Sequence, residues 1–486
     1  MAMKKKVNRR DFLQLTVAGG AVCLAGIGCQ GPIAVRGMEG PRLISAGCRR
    51  SKVKVARIYM GTSHGLWPKP TLDLKSEIQV YDREFAKLKD ELADVEFVVD
   101  ELVSSRDDVA RIKSKLQDVD GILAIHLNLG TRGILDEILG AGKPTMVFAV
   151  PYSGHEWVGF GALQKEELGA KLECMLTSDY KQMAVAIRPF RAIHHLREAK
   201  ILNLATDSFA KYAHEVRNKF GTEIKQVKLK QVIDLYNAVD DGQARTLADQ
   251  WVKGAVKVVE PPRDEIFKSC KLALALEELL AQEDATVMTV DCYGSMYKPL
   301  CQDYAFPCLG FVRLNNIGLG GICESDLQCA MTHILYQGLV GKPGFISDPT
   351  MDESSNSIIL AHCLGTTKMN GPDEPGEPYK LRTIMERQEG VVPQVKMRIG
   401  QKVTQAKLVG TDLLPYFTGE IVDAPVSVEA DRGCRTKITV KVDGDATRLW
   451  KNWSHGLHRV TCYGDVTREL AYFCRFKGIS MVNEVV

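Results

Sequence analysis

Two segments of this chain are apolar from end to end instead of alternating: residues 121–125, Gly121-Ile122-Leu123-Ala124-Ile125, and residues 144–150, Pro144-Thr145-Met146-Val147-Phe148-Ala149-Val150. A strand that is apolar on both faces must be covered on both faces, which is the condition of a central strand in a parallel sheet. The neighbouring segments agree. Val53–Met60 and residues 95–99 are β-rich, while residues 74–92, 107–116 and 132–139 carry helical spacing. Strands and helices in alternation predict a sheet with helices on both sides, of flavodoxin or Rossmann type. No G-x-G-x-x-G follows the first strand, so the pattern does not imply a dinucleotide.

A second alternation starts near Lys200. Residues 201–205, 223–228 and 285–290 read as strands, and 209–220, 247–259 and 264–282 as helices. Beyond about residue 350 the period changes. Turn residues cluster at 371–378, and the runs 395–409, 420–428 and 434–442, rich in Val, Ile and Thr, read as antiparallel strands. At 486 residues the chain is too long for one core. The expected fold class is α/β, with two Rossmann/flavodoxin-like parallel-sheet domains followed by a C-terminal mostly antiparallel β domain. The expected boundaries are a leader at 1–29, a linker at 30–52, and domains at 53–170, 171–350 and 351–486.

The leader has the layout of a twin-arginine export signal. Lys4-Lys5-Lys6 and Asn8-Arg9-Arg10-Asp11-Phe12-Leu13 precede an apolar, glycine-rich run to Gly28. The run is too short and too rich in glycine to hold a bilayer, and no other stretch is long enough to span one. The expectation is a periplasmic protein exported by the twin-arginine route. Gly26-Ile27-Gly28-Cys29 resembles a lipoprotein box that would put a lipid anchor on Cys29, although glycine fits poorly three places before the cysteine.

The leader carries five Lys or Arg and one acid, a net +4, against +3 for the whole chain. The remainder is therefore about −1 by subtraction, with no basic excess for nucleic acid. The chain has 14 cysteines, none in a C-x-x-C pair, so the spacing does not indicate a structural zinc site. Most lie in apolar runs, where buried free thiols are expected.

Chemistry-bearing residues concentrate in a few places. Cys323-Glu324-Ser325-Asp326 precedes a helical stretch, 327–339, and follows Gly318-Leu319-Gly320-Gly321, which permits close backbone approach. Acids at a helix start also serve as caps, so capping alone accounts for them equally well. His362 lies in an apolar strand, where a histidine is usually a hydrogen-bonded core residue; Asp348, at another strand end, is placed to orient it. Asp291 and His126 end strands on the side where parallel sheets collect ligands. His455 and His458 flank a glycine turn after Trp450 and Trp453, whose rings suit a sugar's CH face or simply pack. Carboxylates with imidazoles form a divalent-metal site that leaves positions open for substrate oxygens.

The segment His458-Arg459-Val460-Thr461-Cys462-Tyr463-Gly464-Asp465, with Glu469-Leu470 and Phe476-Lys477-Gly478-Ile479 after it, resembles the C-terminal end of the L-fucose isomerase and L-arabinose isomerase family. Cys323-Glu324-Ser325-Asp326, Gly341-Lys342-Pro343 and Phe345-Ile346-Ser347-Asp348 are similar to the same domain. The resemblance covers about residues 285–370 and 450–480. It implies Asp326 and His458 as metal ligands for Mn²⁺ or Mg²⁺, with Asp291 or Asp303 completing the set and His362 a further candidate. It also implies Glu324, Asp326 and Asp303 as the proton-handling carboxylates. The family glutamate expected some two dozen residues before the aspartate is missing, since Leu300-Cys301-Gln302-Asp303-Tyr304 stands there.

The implied activity is aldose–ketose isomerisation of a small-molecule sugar through a metal-stabilised enediol. Trp453, His455 and His126 are the expected substrate contacts, and a homo-oligomer is expected. Two alternatives stay open: a non-catalytic carbohydrate-binding protein of the same fold, favoured by the missing glutamate, and a metal-dependent lyase or epimerase acting on a glycan fragment.

Overall fold

The computed structural model describes residues 51–427 and 432–486. The export motif, the Cys29 box and nearly all of the expected linker lie outside the described residues.

The first sheet is wholly parallel. It contains β1 (Val53–Met60), β2 (Val95–Val103), β3 (Gly121–His126), β4 (Thr145–Ala149) and β5 (Leu172–Leu176), in the order β2-β1-β3-β4-β5. Every residue of β3 and β4 is buried, as end-to-end apolar strands require. β5 lies just past the expected boundary at 170, yet belongs to the first sheet. It is an edge strand whose Glu173 and exposed Leu176 break the apolar run, so composition does not announce it.

The second sheet is also parallel. Its strands are β6 (Lys200–Leu204), β7 (Glu223–Gln226), β9 (Val287–Val290) and β10 (Gly320–Cys323), in the order β10-β9-β6-β7. The short β8 (Lys257–Val258) falls in the span expected as helix 247–259. The helix is Asp241–Gly254, and β8 instead pairs with β13 (Tyr379–Arg382), itself joined to β14 (Val392–Val395).

The helix Gln182–Glu198 lies between the sheets and has no clean polar face. Twelve of its 17 residues are buried, which explains why amphipathic periodicity does not find it. Arg191 donates to both oxygens of the buried Asp94, at 2.6 and 2.9 Å, and so ties the helix to the first sheet. On its other side it packs against the helix Leu327–Val340. A Cβ on Gly338 there would stand 2.6 Å from the Cα of Ala192, so only glycine permits the approach.

The C-terminal domain is antiparallel and closes on itself. β11 (Phe345–Asp352), β12 (Ser357–His362), β15 (Lys402–Ala406), β16 (Leu413–Asp423), β17 (Thr436–Val442) and β18 (Arg459–Tyr463) run in the order β15-β18-β11-β12-β17-β16. β16 then pairs back with β15, forming a barrel, and β19 (Ser480–Asn483) adds to β16 in parallel. The expected boundary at 350 cuts through β11. Two parallel α/β sheets followed by an antiparallel β domain is the fold class the sequence predicts. No helix among the described residues is long and apolar enough to cross a membrane. The cysteines among them are free thiols, most of them buried.

Candidate functional site

The site forms where the carboxyl end of the second sheet meets the barrel. β10 ends at Cys323, and the next two residues, Glu324 and Ser325, both have left-handed backbones, with φ of 58° and 52°. Such a conformation costs a residue with a Cβ roughly 1–2 kcal/mol, so two in succession mark a place held by its surroundings. The hold is visible. Ser325 N–H donates to Val290 O at 3.2 Å and its Oγ donates to Asn203 Oδ1 at 2.8 Å. Asp326 then caps the helix Leu327–Val340, accepting from Cys329 N–H at 2.8 Å.

The barrel supplies the imidazoles. β11 lies between β18 and β12, with Ser347 opposite Arg459 and Asp348 opposite Ala361. That register sets His458, Asp348 and His362 side by side at one end of three neighbouring strands. His458 Nδ1 lies 3.3 Å from Asp326 Oδ2, while its Nε2 lies 3.2 Å from Asp348 Oδ1 and 3.7 Å from Glu324 Oε2. His362 Nε2 is 3.8 Å from Glu324 Oε1, and the two histidine rings meet edge to face at 5.5 Å. One ligating atom each from Glu324, His362 and His458 lie within 4.8 Å of one another.

Three buried atoms in this cluster make no hydrogen bond: Asp348 Oδ1, His362 Nδ1 and His458 Nε2. The approach of His458 Nε2 to Asp348 Oδ1 is short but lacks hydrogen-bond geometry. Buried polar atoms without a protein partner are costly, and water or an ion is the usual partner in such a place.

The electrostatics divide the carboxylates. Burial opposes charge on Asp326, but His458, the Lys407 ammonium at 3.0 Å and the Cys329 N–H outweigh it, holding the carboxyl well below its usual range. Glu324 moves the other way. Burial raises its pKa, the charges of Asp348, Asp326 and Asp291 add to the rise, and His458 opposes it. Asp348 is also raised by burial, against the pull of His458. Burial and the neighbouring His458 push His362 down to about 3, so it is a neutral imidazole with a lone pair to offer. For His458, burial favours the neutral form, but the three carboxylates around it outweigh burial and raise its pKa.

A cavity of about 480 Å³ opens beside the cluster, lined by Asp348, Thr350, Glu386, Arg432 and Cys434 among others. Its size is within the range of small-molecule sites.

The expected residues sort unevenly. Glu324, Asp326, His362 and His458 converge. Asp326, expected as a ligand, has one oxygen on the helix cap and the other facing Lys407 and His458, and it is not among the three side chains whose ligating atoms cluster. Asp291 is near enough to repel charge on Glu324, but its Oδ2 accepts from Ser295 N–H at 2.6 Å and Ser295 Oγ at 2.8 Å. Asp303 is elsewhere, in a separate cavity with Pro262, Glu265 and Lys268, because the π-helical turn Tyr297–Gln302 carries it there. His126 remains at the end of β3, where it meets Glu156 at 3.0 Å and Ser153 at 2.9 Å. Trp453 donates to Gly456 O at 3.1 Å and lies under the Arg459 guanidinium at 4.5 Å, a packing role next to the site. His455 is half-buried in the same turn and gives no atom to the trio. Lys407 is the residue that sequence reasoning missed. A single lysine between Ala406 and Leu408 was the available signal, and it is 4% exposed.

No known protein-family model matches this chain. It is 23% identical over 333 residues to the sulfoquinovose isomerase of Clostridium sp. (strain MSTE9), an alignment covering 64% of this chain and 68% of that protein.

Proposed function

We propose that this protein is a sugar isomerase-like enzyme that interconverts an aldose and its ketose at the Glu324, His362 and His458 cluster. The observation that carries the reading is the convergence of these three side chains with Asp348, whose Oδ1 is unpaired, beside a cavity of monosaccharide size. The distant similarity to a sulfoquinovose isomerase supports the sugar-isomerase class and makes sulfoquinovose one candidate substrate.

The donors fit a divalent cation. Two imidazoles and a carboxylate, with unpaired buried atoms among them, suit Mn²⁺ and, less well, Mg²⁺. Glu324, His362 and His458 would hold it. When bound, such an ion supplies Lewis-acid stabilisation of the negative charge that develops on the sugar's oxygens.

The protein's own groups do the rest. Asp326 accepts a hydrogen bond from His458 Nδ1–H and so turns the Nε2 lone pair towards Glu324 and Asp348. Lys407 keeps Asp326 ionised. Asp348 is the carboxylate suited to the proton transfer, since burial raises its affinity for a proton and its side chain lines the cavity. It takes the proton from C2 of the aldose and returns it to C1, while the O2 hydroxyl proton passes to O1. In this reading Glu324, expected to handle protons, is a ligand, and Asp326, expected as a ligand, orients His458. The twin-arginine layout supports action in the periplasm.

Solvent-deuterium exchange tests the proposal. The Mn²⁺-supplemented protein is incubated in D₂O with a panel of aldoses, ketoses and sulfoquinovose, and C2 is followed by NMR. Deuterium entering one sugar supports isomerisation. Stoichiometric metal and sugar binding with no deuterium in any of them rejects it and leaves the carbohydrate-binding reading.

A further inference from the structure

A second ligand cluster stands one residue beyond His362. Cys363 follows the end of β12, Glu386 lies in the loop between β13 and β14, and Cys434 lies two residues before β17. His362 and Thr436 form the last pair of the β12–β17 ladder, so the two cysteines emerge together from facing strands. Cys363 Sγ is 3.5 Å from Glu386 Oε2, and Cys434 Sγ is 3.2 Å from Glu386 Oε1. Ligating atoms of all three lie within 4.8 Å of one another. The hydroxyl of Tyr293, just past β9, joins them at 3.1 Å from Glu386 Oε2 and 3.7 Å from Cys363 Sγ.

We propose that Cys363, Glu386 and Cys434 bind a second divalent cation, of the thiolate-preferring zinc class, distinct from the ion sought by the imidazole cluster. Two thiols and a carboxylate from three separated segments are the donor types of a tetrahedral zinc site. With metal–sulfur bonds of about 2.3 Å and metal–oxygen bonds of about 2.0 Å, the sulfur–oxygen edges of such a tetrahedron are about 3.5 Å. Each sulfur already lies at about that edge from one Glu386 oxygen, Cys363 from Oε2 at 3.5 Å and Cys434 from Oε1 at 3.2 Å, so a small turn of the carboxylate presents one oxygen to both. Binding releases the two thiol protons to solvent and leaves two thiolates and a carboxylate on the ion, with water in the fourth position.

The site would act as a clip. Glu386 and Cys434 line the same cavity as Asp348, so the ion would fix two loops of the cavity wall to the strand that carries His362. A Cys363–Cys434 disulfide accounts for the geometry less well. It would remove both donors from a carboxylate that now receives them. The proposal does not depend on the isomerase reading.

The test uses the full-length protein, purified with reductant and stripped of metal, then titrated with Co²⁺ and Zn²⁺. The wild type should show a near-ultraviolet thiolate-to-cobalt charge-transfer band, proton release on Zn²⁺ binding, and protection of both thiols from a thiol-reactive dye. Cys434→Ser should lose at least half of the band's intensity, and His458→Ala should keep it. The wild-type measurement stands even if a variant does not fold. Absence of the band in wild type, Zn²⁺ failing to protect the thiols, or a native Cys363–Cys434 disulfide in the unreduced protein would each overturn the proposal.

Discussion

His458 Nδ1 and Asp326 Oδ2 lie 3.3 Å apart across 132 residues of chain. Because Asp326 also caps a helix and faces Lys407, it is a rigid anchor, and the contact fixes which nitrogen of His458 faces the cluster.

Asp326→Asn should therefore weaken Mn²⁺ binding about 10–100-fold, although Asp326 gives no atom to the trio. His455→Ala should leave the affinity unchanged. Isothermal titration distinguishes them. Because Asp326→Asn strands the buried Lys407, at a cost of about 3–5 kcal/mol, the paired Lys407→Met change should restore stability without restoring metal affinity. Wild-type affinity in Asp326→Asn would contradict the assignment.

Glu324→Gly should stabilise the fold while abolishing turnover and trio metal binding. Its backbone is left-handed, a conformation glycine adopts without steric strain, and burial already disfavours the carboxylate. The relieved strain of about 1–2 kcal/mol, less roughly 0.5–1 kcal/mol for the extra entropy glycine loses on folding, leaves an expected gain of up to about 1 kcal/mol in urea unfolding at neutral pH. A loss of stability would show that Glu324 is held by interactions stronger than this strain.

Lys477 should give the protein a stability that rises with pH on the alkaline side. Burial, with the positive charges of Lys171, Lys219 and Arg197, pushes its ammonium down to about 8 from the usual 10.5. Between those values the unfolded chain holds more protons than the folded one, so the stability contribution increases through that window. Lys477→Met should be more stable than wild type at pH 7 by about 1 kcal/mol, a figure reduced for partial exposure. The advantage should shrink between pH 8 and 10.5. A difference that stays constant with pH, followed by urea melts, would refute it.

Replacing Arg9 and Arg10 with lysine should retain the protein in the cytoplasm. Cell fractionation checks this. Normal periplasmic levels of the variant would rule out the twin-arginine reading of Asn8–Leu13.

Much of the architecture was legible because burial leaves a compositional trace. The apolar strands β3 and β4 could only be central, and the Val-, Ile- and Thr-rich runs after residue 390 could only be a different kind of sheet. Edge strand β5 and the helix Gln182–Glu198 were hidden because one is partly exposed and the other is buried nearly all round. Neither case shows the amphipathic contrast that periodicity detects.

The candidate site divides in the same way. Sequence alone singled out the local segments that the structure brings together: Glu324 and Asp326 before a helix, His362 in an apolar strand, and His458 beside a glycine turn. Tertiary structure decided which of them meet and which atoms face one another. Two left-handed residues separate the fates of Glu324 and Asp326, a distinction of backbone angle that residue type does not encode. The β18-β11-β12 register brings Asp348 to His458, and barrel closure brings Lys407 to Asp326. These contacts join residues tens to more than a hundred positions apart, so they follow from how strands pair and not from any local pattern.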